Sequence, residues 1–328
     1  MKRLLQDAAA LLAAVLLALL ADRLGLLAAL AERMTPVQET PEAAVWEPAG
    51  ESAPWRPPAA ALPAPEETPP ASEAPPEEPE KSLPAVPAMA PGELRNGGSL
   101  SVDARSLLRE GWSCTLSRDG PQVLILHTHS CEAYTPDGAD DYEPSGDWRT
   151  LDGSQSVIAV GDVLAERLEA AGFTVLHDRD LYDWPAYNGA YDRSGEAVRR
   201  LLEEHPTIRV VVDLHRDSLG GRKTAYISPD GADSAQVMLL LTTGENGLYH
   251  PNWRENLKLG LELQSRMARD YEGLARPLLL SPARYNQHLC PGSFLVEVGT
   301  EANTLAEAKK AAALFGDCLA GVLGNHWA

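Results

Sequence analysis

Apolar residues follow three different patterns along this chain. Between Ala8 and Ala21 they run unbroken, Asp22 and Arg23 interrupt them, and Leu24 to Ala31 resumes the run. From Thr35 to about Gly98 no periodic apolar spacing is present. From Ser99 onward, short β-branched blocks alternate with stretches whose apolar residues recur every three or four positions. Those are the spacings of strands and of amphipathic helices.

In this last region, Val123 to Leu126 is a block of four large apolar residues behind Pro121, which predicts a strand buried on both faces. Val157, Val160, Val163, Leu164 and Leu168 predict a helix that stops at Gly172. A strand over Phe173 to His177, a helix around Gly195 to His205 and a strand from Ile208 to Asp217 follow. Further strands are expected over Lys223 to Ser228 and Gln236 to Thr242, then a helix from Trp253 to Glu272 with Asn252 as its N-cap. Phe294 to Val298 gives the last strand, and Asn303 to Glu307 has the cap chemistry that opens a final helix to Gly324. This alternation predicts an α/β fold: a mostly parallel or mixed central sheet flanked by helices, with right-handed crossovers.

Lys2 and Arg3 ahead of the first apolar run mark residues 1–34 as a membrane-targeting segment. Its 14 uninterrupted apolar residues are short against a span of about 20, and Ala29 to Ala31 resembles a cleavage site. Counted through the Asp-Arg pair, 24 residues are available. An uncleaved single-pass anchor with the body outside the cytoplasm is the expectation, and a removed signal peptide is the alternative. Residues 35–98 are rich in Pro, Glu and Ala, with 16 of the 26 prolines between Pro36 and Pro91. Such a segment cannot bury enough surface to offset its ordering entropy, so it is expected to be a partly extended tether ahead of a body over 99–328.

Charge refines this picture. Residues 32–93 hold 12 glutamates and three basic residues, which accounts for nine of the 19 net negative charges. The body is therefore only moderately acidic, and no basic patch suited to nucleic acid is present. The four cysteines show no CxxC spacing, which argues against a zinc ribbon, and Cys131 reads as an incidental small residue. No G-x-S-x-G elbow appears, which argues against a serine hydrolase.

The candidate chemistry lies where the apolar blocks turn polar. His127, His129 and Glu132 follow the first strand, and Asp213, His215 and Asp217 alternate at the end of the third. In one parallel sheet, His127 and His215 would end on the same edge, where open α/β sheets place their sites. Imidazoles and a carboxylate there suit a catalytic zinc with one open position. Glu297 interrupts an otherwise apolar strand, which costs several kcal/mol unless the carboxylate is paired or faces a polar cavity. A general base for zinc-assisted hydrolysis is the functional reading. His177 stands at a strand end without an evident partner, and His205, His250, His288 and His326 read as structural or surface residues.

Several of these stretches together carry a resemblance. His127 to Tyr134, Asp213 to Ser218, Arg284 to Gln287 with Pro291 and Gly292, and Glu297 to Gly299 with Asn303 and Thr304 resemble the stage II sporulation protein P family, itself similar to zinc-dependent N-acetylmuramoyl-L-alanine amidases. The resemblance spans about 120–324. It implies a membrane-anchored peptidoglycan hydrolase of forespore engulfment that cleaves the N-acetylmuramoyl-L-alanine amide and also peptide cross-links. It further implies a Zn²⁺ cofactor and stage II sporulation proteins D and M as partners, with the catalytic domain between the mother-cell and forespore membranes.

Carried over residue by residue, the resemblance gives His127 and His215 as zinc ligands and Glu297 as the base. The third ligand of related amidases is a glutamate near the first helix, where this chain has Asp152 to Gln155; Glu132 or Asp152 is expected to replace it. His129 is the alternative first-strand ligand, with His127 then behind it to orient it, and Asp213 is expected either to orient a ligand in the same way or to be one. Arg216, Arg284, Asn286 and Gln287 are expected to hold substrate. Another extracellular metallohydrolase, such as a polysaccharide deacetylase, and a non-catalytic wall-binding scaffold are the competing readings.

Overall fold

The computed structural model describes residues 94–136 and 148–328. The expected membrane segment 1–34, all but the end of the expected tether, and part of the polar loop after the first strand lie outside these residues. Among the described residues, no helix is long and apolar enough to cross a membrane.

In chain order the elements are β1 (Leu94–Asn96), α1 (Ala104–Glu110), β2 (Val123–Leu126), α2 (Val157–Ala170), β3 (Val175–His177), α3 (Ala190–Glu204) and β4 (Val210–Asp217). A small ribbon of β5 (Tyr226–Ile227) and β6 (Asp233–Ser234) follows, then β7 (Val237–Thr242), α4 (Trp253–Asp270), β8 (Leu278–Ser281), β9 (Ser293–Thr300) and α5 (Leu305–Leu323). Seven strands form one sheet in the order β1-β8-β7-β9-β4-β2-β3. Its neighbours run parallel except β7 and β9, so β1, β8 and β7 oppose the other four. This is the mixed, mostly parallel α/β sheet that the alternating sequence pattern predicts.

Strand alternation sorts side chains to two different faces. Val210, Val212 and Leu214 of β4, with Phe294, Val296 and Val298 of β9, enter the larger core, which also takes residues of α1, α2, α4 and α5. The intervening Val211 joins a smaller core with Ala197, Val198 and Leu201 of α3. Asp213, His215, Leu295 and Glu297 fall on that second face. His215 and Glu297 are register partners on adjacent strands. One face of the sheet therefore has four helices over it, while α3 packs on the other, where β4 and β9 carry their polar residues.

Several boundaries differ from expectation. β1 precedes the body start expected at 99 and pairs with β8, and α1 and β8 were not anticipated. The strand expected over Lys223 to Ser228 shrinks to two residues paired with β6. α3 opens at Ala190, ahead of the expected Gly195, behind Gly189 in a left-handed conformation (φ +81°). α5 starts where expected: Thr304 and Glu307 make a reciprocal capping box. Asn252 occupies the N-cap of α4 but caps nothing with its side chain; its amide donates to His288 O.

Candidate active site

β2 ends at Leu126, and the chain turns through Thr128 to Cys131 instead of continuing extended. The turn is pinned to β4, since Thr128 N donates to Asp213 Oδ1 (2.8 Å) and Thr128 Oγ1 to Asp213 Oδ2 (2.7 Å). This carries His129 and Glu132 over the second face of the sheet. There one ligand atom each from His129, Glu132 and His215 lie within 4.8 Å of one another. Glu132 Oε1 is 3.6 Å from His129 Nδ1, and Glu132 Oε2 is 3.4 Å from His215 Nδ1. The other nitrogen of His215, Nε2, lies 2.8 Å from Asp213 Oδ1. Asp213 therefore holds both the turn and the ring, as a carboxylate behind a metal-binding histidine does.

Charge binds this group strongly. Burial alone would lower the His215 pKa, but Asp213 and Glu132 raise it well above the ordinary imidazole value. Burial opposes ionisation of Glu132, yet His129, His215 and Arg216 hold it well below the usual carboxylate range. Two imidazoles and one carboxylate so arranged are a donor set that zinc accepts.

Glu297 faces the same space. Its Oε2 is buried with no hydrogen-bond partner among the described residues. Burial raises its pKa, His215 pulls it back, Glu132 and Asp217 push it up again, and the result is about 8. A cavity of about 350 Å³ contains these groups: His129, Glu132, His215 and Glu297 line it, Leu240 and Leu295 add apolar surface, and Tyr187, Tyr191 and Tyr285 complete one side. Three residues able to hold a metal ion thus share a cleft with a carboxylate oxygen that has no hydrogen-bond partner among the described residues.

The family model of stage II sporulation protein P (SpoIIP) matches residues 61–320. The chain belongs to this family. Three solved structures are similar to it. The N-acetylmuramoyl-L-alanine amidase AmiC2 of Nostoc punctiforme is 14% identical, covering 63% of this chain and 97% of its own, with a TM-score of 0.36. The CwlD amidase of Clostridioides difficile, solved in complex with the GerS lipoprotein, is 14% identical over 62% and 98%, with a TM-score of 0.38. Ami1 of Mycobacterium smegmatis, an N-acetylmuramyl-L-alanine amidase, is 14% identical over 63% and 98%, with a TM-score of 0.37. No curated protein matches the chain.

Among the described residues of this SpoIIP-family chain it is His129, and not the expected ligand His127, that stands with Glu132 and His215. His127 is fully buried; its Nδ1 donates to Leu214 O (2.9 Å) and its Nε2 accepts from His177 Nε2 (2.8 Å). Burial and His177 push its pKa down to about 3, which keeps it neutral. The reason is geometric: with the strand ended at Leu126, positions 127 and 129 no longer alternate on one side. His177, read as lacking partners, has His127 on one nitrogen and Asp162 Oδ1 at 3.0 Å from the other. Asp152 is exposed and accepts from Ser154 N and Oγ in a local turn, away from the group that Glu132 joins. Burial and Asp183 push the Cys131 thiol up to about 12, which makes it a poor nucleophile.

The residues expected to hold substrate mostly hold the fold. Gln287 is buried, donating to Leu240 O and accepting from Thr242 N and Oγ1. Asn286 Nδ2 donates to Tyr191 O (2.7 Å) and Ser194 Oγ (3.2 Å). Arg216 lines the cavity, but its side chain reaches Ala133 O and Trp148 O. Arg284 lies near His250 and His288, lowering both imidazoles together with their burial, and is not among the cavity-lining residues. The sequence reading missed Tyr187, Tyr191 and Tyr285. Tyr285 stood inside the Arg284 to Gln287 motif, but no periodic signal separates a cavity-facing tyrosine from an ordinary one.

Proposed function

We propose that this chain is a zinc-dependent peptidoglycan hydrolase of sporulation that cleaves the amide between N-acetylmuramic acid and L-alanine. The carrying observation is that His129, Glu132 and His215 share one cavity with the unpaired carboxylate oxygen of Glu297. His129, Glu132 and His215 would hold the ion. Bound there, zinc supplies a Lewis acid for the scissile carbonyl and lowers the pKa of its water towards about 7.

Glu297 takes the proton of the attacking water as oxygen bonds to the carbonyl carbon. It then delivers that proton to nitrogen as the C–N bond breaks, a role worth about 10²- to 10⁴-fold in rate. Its surroundings suit both halves of the transfer, because burial raises its pKa above the ordinary carboxylate value and so favours taking up the proton, while a cation held beside it would draw the pKa back down and favour its release. Asp213 keeps His215 oriented through the 2.8 Å contact on Nε2. Cross-link cleavage by the same site, an anchor at 1–34, a tether ahead of the body, an extracytoplasmic location and stage II sporulation proteins D and M as partners complete the proposal. Support for the anchor and tether is the apolar and proline-rich patterning described above.

The test is metal analysis of the purified full chain, with mass spectrometry of peptidoglycan incubated with it. One zinc per chain and chelator-sensitive release of stem peptides with free L-alanine amines are expected. Glu297→Gln should retain zinc and lose about 10²- to 10⁴-fold in turnover, and His215→Ala should lose both. Acetate release without new amines would favour a deacetylase. Parent-level digestion by Glu297→Gln would remove the base from this mechanism.

A further inference from the structure

Beside the metal-ligand group, aromatic rings form a continuous wall. Tyr187 stacks on His129 with centroids 4.5 Å apart and planes at 29°, Tyr191 meets His129 edge-on at 5.5 Å, and Tyr285 tilts onto Tyr191 at 5.2 Å. The two ends of the wall differ. Tyr187 has His129 against its ring, and the Arg149 guanidinium is also over that ring at 5.1 Å, held by buried Asp183. Tyr187 is 55% exposed, but its ring already has two partners, His129 and Arg149. Tyr285 has a ring contact with Tyr191 alone among the described residues, is 36% exposed and lines the cavity.

Tyr285 is also held there at a cost. Tyr285 and Asn286 both adopt left-handed backbone, φ +41° and +57°, a region that disfavours non-glycine residues and that persists where the surroundings enforce it. The enforcement is visible in α3: Asn286 donates to Tyr191 O and Ser194 Oγ. Its amide also sits where any Cβ on Gly195 would approach it to 2.9 Å. α3 thus has a glycine where Asn286 must dock. The consequence is a large ring that lines the cavity and stays partly exposed, without the packing that an ordinary core tyrosine would have.

We infer that Tyr285 is the residue that stacks on a pyranose ring of the glycan next to the scissile amide. The inference rests on the peptidoglycan reading above and names which part of that substrate this wall takes. A pyranose presents C–H bonds on one face, which the negative face of an aromatic ring attracts, and carries hydroxyl and acetamido groups around its rim. The cavity lining carries both characters: Tyr285, Leu240 and Leu295 are apolar or aromatic, and Asp217 and Ser218 are polar.

The test uses the full chain loaded with zinc and carrying Glu297→Gln, so that nothing is consumed during calorimetric titration. The two probes are a GlcNAc–MurNAc tetrapeptide and the same tetrapeptide with an acetyl group in place of the sugars. Tyr285→Leu is expected to weaken the sugar-bearing probe about 5- to 50-fold, to change the sugar-free probe less than about twofold, and to be rescued by Tyr285→Trp. Tyr187→Leu is expected to leave the ratio between the two probes unchanged. Equal losses on both probes with zinc stoichiometry intact, or no loss on either, would overturn the inference. Should Tyr285→Leu fail to hold zinc, Asn286→Ala keeps the ring but releases its backbone, and the same ratio decides. If the parent chain releases no stem peptide while the sugar-selective loss persists, the amidase reading fails and the stacking role stands. Parent turnover without a sugar-selective loss gives the reverse.

Discussion

At Glu297, proton binding and folding are coupled with a sign that can be worked out. The carboxyl titrates near 4.5 when unperturbed and near 8 in the fold. In metal-free protein its contribution to stability is therefore fully present below about pH 4.5 and is lost as pH rises through about 8. Glu297→Gln should match the parent near pH 4.5 and exceed it by about 1–3 kcal/mol at pH 8, measured by urea unfolding in chelator. His215 gives the complementary expectation. Asp213 and Glu132 keep it protonated at neutral pH against the cost of burial, so a metal must displace a proton to bind. Calorimetry in two buffers of different ionisation enthalpy should find about one proton released, with affinity rising about tenfold per pH unit. A metal-binding enthalpy independent of buffer would remove His215 from the ligand set.

Among the elements, α2 shows how the buried support of the site limits what a helix can carry. A Cβ on Gly161 would stand 2.7 Å from both His127 and His177, so this helix approaches the imidazole pair only because a hydrogen occupies that position. Gly161→Ala gains about 1 kcal/mol of helix propensity, but overpacking against two buried rings costs about 1–3 kcal/mol. The clash should win, lowering the thermal midpoint even though alanine is the better helix former. β4 and β9 were the most legible elements because their alternation assigns each side chain to a face, and Glu297 stood out as a lone carboxylate among apolar neighbours. β8 was not legible: Leu278 to Leu280 lie between Pro277 and Pro282, and so short an apolar run is ambiguous by period.

For the whole molecule, the boundary of the folded body is the testable point. β1 lengthens the sheet by pairing Leu94, Arg95 and Asn96 with Leu278, Leu279 and Leu280, and Leu94 packs against the larger core. A chain starting at Ser99 should therefore be less stable than one starting at Pro91, by about 1–3 kcal/mol from the lost apolar contact and ladder bonds. Chemical denaturation of the two truncations measures this, and equal midpoints would mean that β1 adds nothing.

The amino-acid sequence by itself determined the alternation of strands and helices, and hence the α/β class. It also determined the polar residues at the ends of β2 and β4, and the anomaly of Glu297. These are local properties, carried by period, by cap residues and by the cost of a carboxylate in an apolar strand. Only the tertiary structure places His129, and not His127, beside Glu132 and His215, because that placement depends on where β2 stops and on the grip of Asp213 on Thr128, 85 residues away. It also decided that Glu132 and not Asp152 joins the histidines, and that Asn286 and Gln287 support the loop that presents Tyr285. Each of these depends on contacts between segments far apart in the chain, and no periodicity within one segment encodes them.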